Sequence, residues 1–160
     1  MPDILFQTEE FVFSYRVAGL CVHDGRVLLQ KPANEDNFAF PGGHVAFGET
    51  NEETLKREFR EEIGAKVSVG ELKWVGEIFF NWGDKPCHQI CLYYMVAIED
   101  EATPRNGVWT GRESHDGGRT SMEFHWIPLD RVHDIPVYPK SAVPFLGDLQ
   151  GPIRHFIDRE

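Results

Sequence analysis

The sequence predicts an α/β domain on three observations: one long helix with both ends written into its residues, β-rich runs on either side of it, and a length of 160 residues that suits one hydrophobic core. The helix covers residues 51–64. Thr50 suits the N-cap, Glu53 three residues later completes a capping box, and Gly64 suits the left-handed conformation that stops a helix. Leu55, Phe59 and Ile63 recur every fourth residue, so one apolar stripe must dock on a neighbouring layer.

The strands follow from composition and turn signals. Residues 15–22 and 26–30 are β-rich and flank His23-Asp24-Gly25, a tight-hairpin signal. Residues 38–40 lead into Pro41-Gly42-Gly43, where the backbone can come close to a ligand. After the helix, runs 72–80 and 89–98 are separated by the turn-forming 81–86 and read as a second antiparallel pair. Residues 124–127 form a further short strand. A Pro-rich segment, 135–144, leads to a short C-terminal helix, and 153–157 suits either strand or helix. The polar stretch 99–123 is long for a connection, and such loops are commonly functional.

Composition narrows the function. The net charge of −10 and pI near 5.1 argue against a nucleic-acid polymer or an anionic membrane as partner. No run approaches a membrane span, and the acidic start MPDILFQTEEF lacks the bases of a signal peptide, so a single cytoplasmic domain over 1–160 is expected. Cys21, Cys87 and Cys91 lie in apolar or strand-like runs and read as reduced, buried thiols.

The chemistry concentrates in residues 43–65, GHVAFGETNEETLKREFREEIGA. Glu58, Glu61 and Glu62 stand at i, i+3 and i+4, which puts three carboxylates at neighbouring points of one helix face. Like charges so close repel, and carboxylate oxygens are the ligands that Mg²⁺ or Mn²⁺ prefers. Arg57 reaches Glu61 at i+4 and can hold that carboxylate in place. A polyphosphate would be repelled by so acidic a chain unless cations intervened.

Gly43, Glu49, Arg57, Glu58, Glu61, Glu62 and Gly64, with Phe59 between the glutamates, resemble the Nudix box, G-x(5)-E-x(7)-R-E-U-x-E-E-x-G-U with U apolar. Ala65 is smaller than the usual last residue. Seven fixed letters at a background of about 7% would coincide on the order of once in 10⁸ start positions, so the match outweighs a merely solvated acidic face. The resemblance implies an α/β/α sandwich with a mixed central β-sheet and a metal-dependent pyrophosphohydrolase acting on a nucleoside diphosphate derivative. The substrate would be a nucleoside triphosphate, ordinary or oxidised, or an ADP-ribose-like nucleotide sugar.

By position in the box, the resemblance assigns the metal, Mg²⁺ or Mn²⁺, to Glu58, Glu61, Glu62 and the Gly42 carbonyl, with Glu49 supporting the cluster. Glu61 would be metal ligand and base at once; Glu113, Asp116 and Glu123 in the long loop are the other candidates for the base. Lys31 and His44 are candidates to face phosphate, and Phe38, Phe80, Trp82 and Trp126 to stack on a base. The partner is a small nucleotide, with a second copy of the chain left open. A non-catalytic nucleotide-binding regulatory module of the same fold is the alternative, and an isomerase-like enzyme using a cysteine is a second.

Overall fold

The computed structural model describes residues 2–111 and 121–160, so Glu113 and Asp116 lie outside the described residues. The first half of the chain runs β1 (Leu5–Gln7), β2 (Val12–Leu20), β3 (Val22–His23), β4 (Arg26–Pro32), β5 (Phe38–Ala39), β6 (Gly42–His44) and α1 (Asn51–Glu58). A π-helical turn, Phe59–Ile63, continues α1. Then come β7 (Val67–Trp82), β8 (Lys85–Ile98), β9 (Val108–Thr110), β10 (Met122–Pro128), β11 (Val137–Tyr138) and β12 (Arg154–Arg159), with 3₁₀ turns at Val132–Asp134 and Lys140–Asp148.

The mixed sheet is divided in two. The larger runs β1-β2-β8-β7-β12 with β6 added on β2; the smaller runs β11-β5-β4-β10-β9 with β3 added on β4. In the larger sheet β2 lies parallel to β8 and β12 parallel to β7, while β7 and β8 form one long antiparallel hairpin. The first hairpin closes through Asp24 and Gly25, at φ 49° and 73°, both left-handed as a two-residue tight turn requires.

Successive strand residues point to opposite faces, and β2 shows where the layers lie. Val17 joins a core with Leu55, Phe59 and Ile63, while its neighbour Ala18 joins another with Ala142, Val143 and Leu146. Helix α1 and the C-terminal 3₁₀ segment therefore cover opposite faces of the larger sheet, as a sandwich demands. The C-terminal helix is 3₁₀ in form and carries Pro144, which cannot supply an α-helical N–H. Residues 153–157 resolve as strand, since β12 extends the sheet beside β7.

The helix start follows the sequence. Glu53 N–H donates to Thr50 Oγ1 at 3.1 Å and Thr50 N–H to Glu53 Oε2 at 3.4 Å. Its far end does not continue as α-helix. From Phe59 the helix widens to a π turn, and Gly64, at φ 78°, ends it. All three stripe residues are buried.

Candidate active site

The site is built around a cation set among acids. Arg57 Nε donates to Glu49 Oε2 at 2.9 Å and Nη2 to Glu49 Oε1 at 3.0 Å, a two-point grip that ties the loop before α1 to the helix. Its Nη1 donates to Glu58 Oε1 at 2.9 Å and to Glu61 Oε2 at 3.2 Å. Thr54 Oγ1 adds a 2.8 Å bond to Glu49. The Arg57 hydrogen bonds hold the Glu49 carboxyl below its usual range. Burial acts the other way on Glu58, whose carboxyl is pushed up although Arg57 opposes the shift.

Glu58 is inward-facing, its side chain 14% exposed, because β6 offers it a seat. A Cβ on Gly43 would stand 2.6 Å from Glu58 Oε1, so only glycine lets the carboxylate lie against this strand. Glu61 and Glu62 follow within the π turn, both partly exposed. Such turns recur at functional sites because they re-aim side chains within an otherwise regular helix. The chain leaving β9 passes close by, since a Cβ on Gly111 would be 2.6 Å from the Glu62 carbonyl oxygen.

A second group of residues occupies the adjoining sheet. Arg16 on β2 pairs in register with His44 on β6. Arg16 Nη2 donates to the Phe40 carbonyl at 2.9 Å and Nη1 reaches Cys91 Sγ at 4.0 Å. It is hemmed in by protein yet keeps partial solvent exposure. Burial, with Arg16 adding to it, lowers the His44 pKa and keeps that imidazole neutral. The His44 ring lies 5.9 Å from Trp82, which with Phe80, Tyr138, His133 and Lys140 lines a cavity of about 1440 Å³. None of the box carboxylates lines that cavity, and the His44 ring approaches it through Trp82.

The family model of the NUDIX domain matches residues 14–146, most of the chain. This chain belongs to the Nudix family. A CTP pyrophosphohydrolase of Escherichia coli is 42% identical over 59 residues, covering 34% of this chain and 44% of that protein. The Nudix hydrolase YvcI of Bacillus subtilis is 27% identical over 116 residues, 72% of this chain and 66% of its own. The chain thus spans less than two thirds of the length of both relatives. Among solved structures, a MutT protein from Bacillus halodurans superposes with a TM-score of 0.60 at 22% identity, over 90% of this chain and 89% of that one. A UDP-X diphosphatase superposes at 0.61 and 16% identity, over 94% of this chain and 68% of its own. These likenesses establish the Nudix fold.

Within the Nudix frame, the other residues singled out from the sequence fall in several places. Lys31 is paired with Glu123 at 3.1 Å across the β4–β10 ladder and also donates to the Glu35 carbonyl, so its ammonium is already engaged. Glu123 shares a 3.0 Å hydrogen bond with His125; His125 and Lys31 together hold its carboxyl below the usual range, which makes it a weak base. Phe38 is 8% exposed in the core, edge-on to His125, and Trp126 is buried with its indole N–H bonded to the Pro104 carbonyl. Trp82 keeps partial exposure at the cavity. Gly42 sits buried at the start of β6. The three cysteines are free and buried, and burial raises the thiol of Cys21 to about 12.

Sequence reasoning passed over Arg16, because one arginine in a β-rich run resembles any strand cation. Its register opposite His44 is a tertiary fact. Among the described residues no three His, Cys, Asp or Glu side chains converge on one point as they stand, Arg57 being interposed. The donor chemistry still fits a hard divalent ion: carboxylates from one helix end, one of them seated against a strand where a side chain would collide.

Proposed function

We propose that this chain is a divalent-metal-dependent pyrophosphohydrolase that cleaves the diphosphate linkage of a small nucleoside diphosphate derivative. The observation that carries the reading is the box itself, folded so that Arg57 organises Glu49, Glu58 and Glu61 while Glu58 rests on Gly43. The names of the CTP pyrophosphohydrolase and the UDP-X diphosphatase point the same way, toward phosphoanhydrides attached to nucleosides.

Glu58, Glu61, Glu62 and the Gly42 carbonyl would hold Mg²⁺ or Mn²⁺. Bound there, the ion would lower the pKa of water and neutralise charge on the phosphates. The protein's own part is positioning and proton transfer. Arg57 fixes the glutamates so that their geometry does not depend on substrate, a pre-organisation that favours the transition state. Glu61, partly exposed and gripped on one oxygen, takes the proton as water oxygen bonds to phosphorus. The phosphorus–oxygen bond of the anhydride breaks and its electron pair leaves on the departing phosphate. Among the described residues no helix is long and apolar enough to cross a membrane. Free nucleotides are the substrate pool in this reading.

A phosphate-release screen over nucleoside triphosphates, ADP-ribose and nucleotide sugars, with Mg²⁺, Mn²⁺ or EDTA, tests it. The expected result is turnover of at least one compound that disappears in EDTA. Turnover that persists in EDTA, or none on the whole panel with either metal, overturns the proposal.

A further inference from the structure

Arg16 and His44 are not explained by the fold. An arginine carries five N–H donors, yet among the described residues Arg16 makes only the bond to the Phe40 carbonyl and the long contact to Cys91 sulfur. Among the described residues it forms no ion pair; the Glu62 carboxylate acts on it through space without touching it, and a guanidinium so enclosed is costly without an anion in direct contact. Its neighbours Cys91 and Tyr93 do not provide one, since burial keeps both thiol and phenol protonated. Directly across the ladder, His44 Nε2 is buried without a hydrogen-bond partner among the described residues. An unpaired buried polar atom has a cost of its own, and here two under-satisfied groups share one register position.

Their location gives the pair a direction. On one side lies the box, since His44 is next to Gly43, which carries Glu58. On the other lies Trp82, which lines the large cavity. The cavity walls supply aromatic area in Phe80, Trp82 and Tyr138, with polar groups such as Asn81 and Lys140 between them. Aromatic walls with a few polar groups suit a planar, hydrogen-bonding heterocycle.

We infer that Arg16, with His44 beside it, is the seat for a phosphoryl group of the substrate on the nucleoside side of the scissile bond, and that it directs the base into the Trp82–Tyr138 cavity. This rests on the proposed pyrophosphohydrolase function and names the residues that orient its substrate. A planar guanidinium grips phosphate oxygens at two points and so fixes orientation as well as charge. Arg16 is thus a positioning residue, and the glutamates keep the chemistry.

The test separates this seat from the metal centre by working in EDTA. Inorganic pyrophosphate, UDP, CDP, ADP and GDP are titrated into the wild-type protein while the Arg16 Nε–H, His44 ring and Trp82 indole resonances are followed by NMR. Saturable shifts of Arg16 and His44 are expected with pyrophosphate, and of Trp82 as well with at least one nucleotide. Arg16→Gln should weaken binding by about tenfold, the loss of one charge-assisted contact. Arg16→Lys should restore part of it, and Asp100→Asn, away from both sites, should leave it unchanged. With the best substrate and Mg²⁺, Arg16→Lys should raise KM more than it lowers kcat.

Arg16 and His44 resonances that stay still while every anion is brought to saturation overturn the inference, and this needs no variant to fold. So does Arg16→Gln binding like wild type. Anion binding at Arg16 in a protein that hydrolyses nothing on the panel supports the seat and removes only the enzymatic reading. Hydrolysis unaffected by Arg16→Gln removes only the seat.

Discussion

Two arginines less than fifty residues apart in sequence meet opposite surroundings. Arg57, on the helix, is surrounded by carboxylates from Glu49, Glu58 and Glu61. Arg16, on the sheet, has a carbonyl and a thiol. The first makes its bonds within the protein and so fixes a geometry before anything binds. The second keeps donors in reserve. A cation whose partners are built in serves stability and pre-organisation, whereas one left short of partners is placed for a ligand. The protein uses the same side chain for both ends of one task.

The largest effect should come from the carboxylates at the end of the helix. Glu62→Gln is expected to lower turnover by about a hundredfold or more while the thermal midpoint barely moves, because this side chain lies off the buried stripe. Steady-state kinetics and a melting curve on the same preparation check it. Near-wild-type turnover would detach the chemistry from the helix end.

Next come the arginines themselves, measured without ligand. Arg57→Met leaves Glu49, Glu58 and Glu61 without their shared cation and should cost about 2 kcal/mol, after allowing for partial solvent screening. For a chain of this size that is roughly 4–8 °C in the melting midpoint. Arg16→Met removes an under-paired enclosed charge and should stay within about 1 kcal/mol of wild type, since an apolar replacement of a buried charge is often neutral. Equal losses in urea unfolding would erase the contrast between the two sites.

The smallest effect concerns acid stability away from both. Burial favours the neutral form of Asp100, but hydrogen bonds from the Lys66 and Thr103 amides outweigh it and hold the carboxyl at about 2. A folded pKa below the unfolded value of about 3.9 stabilises the protein above that pH, and the gain is lost as pH falls from about 4 toward 2. Asp100→Asn should therefore flatten unfolding free energy across that window and leave turnover alone. An unchanged slope would return Asp100 to the solvated surface.

How far the sequence reached depended on distance along the chain. The capping box, the Asp24-Gly25 turn and the apolar stripe involve partners within about four residues, where periodicity and turn chemistry speak directly. The Arg57 grip on Glu61 is of this kind, and the grip on Glu49 lies only a little beyond it. The π turn is invisible to a 3.6-residue pattern, because the same stripe suits both windings. Lys31 and Phe38 show the other limit. A strand register alone decides that Lys31 faces Glu123, and packing between layers alone decides that Phe38 is core. Arg16 and His44 belong to the same class, since they meet only because β6 returns against β2.

The junction at residues 111 and 121 has a practical use. Gly111 N–H donates to the Met122 carbonyl at 2.9 Å, and Ala33 N–H to the Ser121 carbonyl at 2.8 Å, so both ends of the intervening stretch are fastened to the smaller sheet. Once two ends are fastened side by side, doubling the length between them adds only about 0.6 kcal/mol of closure entropy. This junction can therefore accept a peptide tag or a small reporter domain without disturbing strand pairing. Because the Gly111 end passes the Glu62 carbonyl, such a reporter would be mounted beside the carboxylates proposed to hold the metal, a favourable position for an optical sensor of ligand occupancy.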